Sequence, residues 1–164
     1  MVRVMRCAWL VMAALPLAGC QTGGAGPFDS VFAASPAPGA SADPLVMGKA
    51  GSDLGKAQAY FRDRNFGLAE ERFRAAVETD PKNADAWLGL GATYDELRRF
   101  DLADRAYGHV ERLTGPSAAL LNNRGYSRYL RGDLAAARRD LTAAQAKAPN
   151  NPAIARNIAL LSAR

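Results

Sequence analysis

The chain has 164 residues, of which 49% are apolar and 23% are charged, so it has room for one folded domain and is too apolar to be disordered throughout. Its formal net charge is +5, but Arg3 and Arg6 fall in a predicted export signal, and without them 19 basic residues face 16 acidic ones. The remaining net charge of +3 does not favour a nucleic-acid-binding protein, because phosphate recognition needs a concentrated basic surface.

The range 1–19 is typical of an export signal. Arg3 and Arg6 precede an apolar run that ends at Leu17 and is too short to cross a bilayer as a helix. Residues 17–20 read Leu-Ala-Gly-Cys, which resembles the bacterial lipobox. The resemblance implies that Cys20 is lipidated, that the chain is cut before it, and that Gln21 directs the lipoprotein to the periplasmic face of the outer membrane. An ordinary signal peptide that happens to contain a cysteine is the alternative.

Residues 20–49 are predicted to be a lipidated cysteine followed by a flexible linker. Gly, Ala, Ser and Pro dominate this range, and its prolines disfavour a continuous helix or strand. Its few bulky apolar residues either pack loosely or form a segment that orders on a partner. Cys7 lies in the signal and Cys20 takes the lipid, so no cysteine remains for a disulfide or a cysteine-based metal site.

A helical hairpin is predicted from residue 84 to residue 107. Its first helix has four residues at offsets 0, 3, 4 and 7, which lie on one helix face, and its second helix follows a short turn. The pattern is W-x2-L-G-x2-Y followed by A-x3-aromatic, and it resembles the tetratricopeptide repeat (TPR), whose period is about 34 residues. The residues concerned are Trp87, Leu90, Gly91, Tyr94, Ala103 and Tyr107.

The same pattern recurs with this period of about 34 residues along the chain. A small residue that is expected to face the partner helix occurs at Ala57, Gly91, Gly125 and Ala159. We therefore predict an all-α TPR helix-turn-helix solenoid in residues 50–164. Its predicted divisions are repeats at 50–83, 84–117 and 118–151 and a capping helix at 152–164, with Ser117 as an N-cap.

The TPR resemblance implies a concave groove lined by the first helix of each repeat. When the groove positions of the family are mapped onto this sequence by repeat register, they form a partner-binding surface. This surface suits an extended or helical peptide, because aromatic, amide and guanidinium groups are available. Packing of these residues against a neighbouring helix is the alternative. The lysine and asparagine clamp of chaperone-binding TPR proteins is not matched, which disfavours a chaperone-tail receptor. The residues assigned to the groove are Leu54, Gln58, Phe61, Leu88, Ala92, Asp95, Asn122, Tyr126, Tyr129 and Arg156.

Three arginines form a possible basic strip in the third repeat. Arg124, Arg128 and Arg131 follow one another at i, i+4 and i+7, so they lie along one side of a helix. They are either a binding strip for an acidic partner or a solvated or internally paired face, for instance with Asp140.

No enzyme is predicted, and no cofactor, metal or small-molecule substrate. The one histidine, His109, has no cysteine or carboxylate triad in phase with it and is expected on the surface. Neighbouring carboxylates such as Glu70 and Glu71 point to different sides of a helix and do not converge as an acid and base. An enzyme would require a site in the groove that no motif reveals.

Residues 122–134 suggest a more specific family. The run N-N-x-G-Y-S-x-Y-L-x-G-D-L, followed by P-N-N-P and N-x-A-L at 157–160, resembles the TadD lipoproteins of Flp/Tad pilus assembly systems. The resemblance implies a pilotin-like factor that binds a secretion component, with an outer-membrane secretin as the expected partner. A general periplasmic scaffold for cell-envelope or peptidoglycan enzymes is the alternative.

Overall fold

The computed structural model describes residues 44–162, which form seven helices and no strands. This confirms the predicted all-α helix-turn-helix architecture. The predicted signal peptide, Cys20 and most of the linker lie outside the described residues. The helices are α1 (Pro44–Arg62), α2 (Phe66–Thr79), α3 (Ala84–Glu96), α4 (Phe100–Thr114), α5 (Ala118–Leu130), α6 (Leu134–Lys147) and α7 (Pro152–Ser162).

The first helix begins earlier than the sequence indicates. The sequence pattern assigns residues 44–49 to the flexible linker, but α1 starts at Pro44. Proline is compatible with the first turn of a helix, because the N–H group that it lacks has no intrahelical partner there. The helical part of the chain therefore includes residues 44–49.

Local signals place the ends of the later helices. The hydroxyl of Ser117 accepts a hydrogen bond from the backbone N–H of Leu120 at 3.2 Å, so it is the N-cap of α5. Gly115 ends α4 with φ of 69°, a conformation that glycine adopts at little cost. The left-handed conformation also recurs in phase, at Arg64, Arg98 and Gly132, each one repeat period after the last.

Two of the hairpins close through a glycine on the first helix. A Cβ atom at Gly91 would lie 2.5 Å from the Tyr107 ring, and one at Gly125 would lie 2.7 Å from Leu141 Cγ. The two helices can approach this closely only because glycine has no side chain. Tyr107 and Leu141 are both almost fully buried as a result. Ala159, at the equivalent position of α7, is instead exposed, because no described helix follows α7 to cover it.

The stack curves so that the first helices form its inner side. Consecutive first helices contact one another, from α1 to α3, α3 to α5 and α5 to α7. Among the described helices, the second helices make no such contact from α2 to α4 or from α4 to α6. Helices α1, α3, α5 and α7 therefore lie on the concave side. Between Pro44 and Ser162 no helix is long and apolar enough to cross a bilayer.

Candidate functional site: the inner face of the helical stack

Five of the predicted groove residues belong to the interior. Phe61, Leu88, Asp95 and Asn122 are between 1% and 4% exposed, so their side chains do not present a contact surface to a partner. Ala92, at 7% exposed, is buried as well. Second helices contribute to this burial, because Phe61 packs against Phe66 of α2 and the Asp95 carboxylate accepts from Tyr107 of α4 as well as from Ser127 of α5.

Asp95 connects three helices through its carboxylate. The Tyr107 hydroxyl on α4 donates to Asp95 Oδ2 at 2.6 Å, and the Ser127 hydroxyl on α5 donates to Asp95 Oδ1 at 2.6 Å. Burial raises the pKa of Asp95 from 3.8 to about 6, while the two hydrogen bonds act in the opposite direction. Asp95 is therefore an interior link between repeats 2 and 3.

A chain of asparagines connects α5 to α7. Asn157 Nδ2 donates to Asn122 Oδ1 at 2.9 Å, and Asn122 Nδ2 donates to Asn123 Oδ1 at 3.3 Å. Asn123 Nδ2 is buried and has no hydrogen-bond partner among the described residues. These hydrogen bonds fix the side-chain amide of Asn122 between the helices, where Asn122 is 2% exposed.

The accessible part of the inner face contains the tyrosine pair that the sequence suggests. Tyr126 and Tyr129 are half-buried and stacked, with ring centroids 6.2 Å apart and planes 22° apart. Burial raises the pKa of Tyr126, the charge of Glu96 raises it further, and the charge of Arg98 lowers it. Gln58 and Arg156 are also half-buried. Together with Leu54, these residues are the part of the predicted groove that a partner can reach.

The basic strip is engaged in internal ion pairs. Arg124 Nε and Arg128 Nη1 each lie 2.7 Å from Asp140 Oδ2, and Asp140 is only 6% exposed. Arg131 pairs with Asp104 through two hydrogen bonds of 2.8 and 2.9 Å. The sequence leaves open whether these arginines bind an acidic partner or form a solvated or internally paired face. In the structure they are internally paired, because α5 packs against both α4 and α6.

His109 is half-buried and packs against an aromatic ring. Its imidazole stacks on the Trp87 indole with centroids 4.1 Å apart and planes 4° apart. Burial lowers the pKa of His109, and nearby Arg112 lowers it further. In the described range, no three His, Cys, Asp or Glu residues are placed to hold a metal ion.

Sequence reasoning misses Ser127, Glu96 and Arg98. Ser127 is an ordinary residue of the quoted motif, and only its contact with Asp95, 32 residues away, reveals its role. Glu96 and Arg98 lie at the end of α3, outside the positions that the groove rule covers. Asn157 has a usable signal, since it follows Asn123 by one repeat period.

Two sequence comparisons match parts of the chain. A family model described as tetratricopeptide repeat matches residues 54–108. The bifunctional subunit NrfFG of the formate-dependent nitrite reductase complex of Haemophilus influenzae is 39% identical over 51 residues, which cover 31% of this chain and 13% of that protein. Protein bimA of Emericella nidulans is 24% identical over 62 residues, which cover 38% of this chain and 8% of that protein. The chain therefore spans a small part of both relatives.

Three solved structures that this chain resembles are TPR domains. The first TPR domain of human RPAP3 has a TM-score of 0.63 at 20% identity and covers 70% of this chain and 90% of its own. The first TPR of Spaghetti (RPAP3), bound to the HSP90 peptide SRMEEVD, has a TM-score of 0.62 at 21% identity. The match covers 76% of this chain and 96% of that one. The second TPR domain of human RPAP3, in complex with the HSP70 peptide SGPTIEEVD, has a TM-score of 0.61 at 18% identity. The match covers 71% of this chain and 98% of that one.

Proposed function

We propose that this protein, whose described residues fold as a tetratricopeptide-repeat solenoid, is a membrane-anchored adaptor that binds a segment of a partner protein on its inner face. The observation behind the proposal is the stacked pair of Tyr126 and Tyr129, which leaves aromatic surface accessible on a concave side. Aromatic side chains on rigid helices bury a large area at little entropic cost, so they are effective anchors for a peptide.

The solved TPR domains support a peptide as the class of ligand. Two of them are in complex with short peptides, although they share only the fold with this chain. Glu96 and Arg98 at the end of α3 act on Tyr126, and Arg156 lies on α7, so the inner face also carries groups that hydrogen-bond a peptide backbone. The ligand that fits this arrangement is a peptide with an apolar or aromatic anchor and polar groups on either side.

For the cellular role, we propose a pilotin-like factor in Flp/Tad pilus assembly. The pattern at residues 122–134 and the lipobox at Cys20 support this proposal. In this scheme the lipid places the solenoid at the outer membrane, and tethering raises its effective concentration near an outer-membrane secretin.

Co-purification from an outer-membrane extract tests the role. Recovery of a secretin supports the pilus proposal, whereas recovery of peptidoglycan enzymes alone favours a general envelope scaffold and overturns it. The anchor is tested separately, because Cys20→Ala should abolish palmitate labelling and retention in the membrane fraction. Unchanged labelling of this variant would exclude lipidation at Cys20.

The inner face is tested with the double variant Tyr126→Ala, Tyr129→Ala. We expect partner affinity to fall at least tenfold, since truncation of an aromatic anchor typically costs more than about 1.4 kcal/mol. The matched control is Leu68→Ala with Leu113→Ala, which truncates two exposed apolar side chains of second helices. Equal binding losses in the two double variants would argue against the inner face. Thermal melting of both variants separates binding from unfolding.

A further inference from the structure

The charges of the solenoid are divided unevenly along its length. Residues 52–96 contain 6 basic and 9 acidic residues, a net charge of −3. Residues 97–162 contain 11 basic and 5 acidic residues, a net charge of +6. The small charge of the whole chain therefore conceals a basic C-terminal half.

Four arginines of this half form an outer basic face, which we define as Arg105 and Arg112 on α4 and Arg138 and Arg139 on α6. All four are exposed and form no ion pair or hydrogen bond with the described residues. They differ in this respect from the three arginines of α5 and its C-terminal turn, which are paired.

Helical phase relates three of these arginines, and Arg138 directly precedes Arg139 on α6. Arg105 and Arg139 are one repeat period apart, so they occupy equivalent positions on neighbouring second helices. Arg112 lies two turns after Arg105 and therefore on the same stripe of α4. Because the second helices form the convex side of the stack, this face points away from the tyrosine pair.

The acidic residues of α4 and α6 do little to neutralise this face. Asp104 and Glu111 are engaged by Arg131 and Arg124. Asp140 is buried within its own ion pairs, and Asp133 caps α6 by accepting from the Ala136 N–H at 3.0 Å. Only Asp101 is an exposed, unpaired carboxylate on these two described helices.

We propose that the outer basic face docks on the phosphate headgroups of an anionic phospholipid membrane. Guanidinium groups bind phosphate oxygens through paired N–H donors, and each basic residue at an anionic surface adds a small attraction. Leu113 follows Arg112 and is 41% exposed, which provides an apolar side chain beside the cations.

This inference rests on the proposed membrane anchor at Cys20. The chain between Cys20 and Pro44 has a contour length of up to about 80 Å, which is enough for α4 and α6 to reach the surface. Docking through the convex side turns the concave side away from the bilayer, toward a partner in the periplasm. The lipid and the basic face also strengthen each other's membrane binding. Once the lipid is inserted, docking of the basic face becomes an intramolecular step.

The test uses residues 20–164 with Cys20→Ser, so that no lipid contributes. It is sedimented with phosphatidylcholine vesicles that contain about 30 mol% phosphatidylglycerol, and with pure phosphatidylcholine vesicles. We expect binding to the anionic vesicles only, and loss of that binding when salt rises from about 0.05 M to about 0.5 M. Absence of binding to anionic vesicles at low salt would overturn the inference.

Two double variants locate the surface. Arg138→Gln with Arg139→Gln should weaken vesicle binding about 25-fold, from roughly 1 kcal/mol for each arginine. Arg62→Gln with Arg74→Gln changes the net charge equally in the acidic half and should have little effect. Equal losses in both variants, or binding of inorganic polyphosphate without vesicle binding, would refute the membrane face. Partner capture by the Arg138 and Arg139 variant should be unchanged, which separates this inference from the proposed adaptor function.

Discussion

Replacing Asp95 with asparagine removes a carboxyl group that is 1% exposed between α3, α4 and α5. The folded-state pKa of Asp95 is about 6, against 3.8 for an ordinary aspartate. Each unit of this difference corresponds to about 1.4 kcal/mol, so ionisation of Asp95 lowers the free energy of unfolding by about 3 kcal/mol. The Asp95→Asn variant removes this dependence on pH.

The sign follows from which state loses its proton first. Below about pH 4 the carboxyl is protonated in both states, and its contribution to stability is fully present. Between about pH 4 and pH 6 the unfolded chain ionises while the folded chain keeps its proton, so the free energy of unfolding falls as pH rises. Above this window both states are ionised and the contribution is lost.

The assay is urea unfolding followed by far-UV circular dichroism at a series of pH values from about 4 to about 7.5. The stability of Asp95→Asn relative to the wild type should rise by about 3 kcal/mol across the window, whatever constant cost the lost hydrogen bond imposes. Asp63→Asn, which changes an exposed carboxylate in the turn between α1 and α2, is the matched control. A difference between wild type and Asp95→Asn that stays constant with pH would refute the description of Asp95 as a desolvated, titrating link.

Two further predictions concern packing and ion pairing. Gly125→Ala should lower the free energy of unfolding by about 1–3 kcal/mol, because the new methyl group would overlap Leu141. Gly55→Ala, where a Cβ meets nothing within 4 Å, should instead raise it by up to about 1 kcal/mol through helix propensity. Equal effects at both glycines in thermal melts would contradict the close-packing argument. Asp140→Asn should cost about 1–3 kcal/mol in urea unfolding, since it leaves two partly buried arginines without their carboxylate. An unchanged free energy of unfolding would contradict this, because it would mean that water solvates the two arginines as well as Asp140 does.

The accessible groove is only partly predictable from the sequence. The positional rule places Tyr126 and Tyr129 on the inner face, and both are half-buried there, with Tyr129 packed against a cluster that includes Ala137 and Leu141 of α6. The same rule places Phe61 in the groove, yet this residue packs edge-on against Phe66 with ring centroids 5.4 Å apart. A positional rule assigns a direction to a side chain but does not show how deeply neighbouring helices cover it.

The amino-acid sequence determined the helical architecture and its phase. A small residue on the first helix meets a bulky one on the second at Gly91 and Gly125, one repeat period apart, and this pairing is visible in the sequence without coordinates. The tertiary structure decided which polar groups are interior links and which are available to a partner. Asp95 meets Ser127 across 32 residues, and Asp140 engages arginines 12 and 16 residues away. Such pairings depend on the distance between helices and on side-chain direction, which residue spacing within a single helix does not specify.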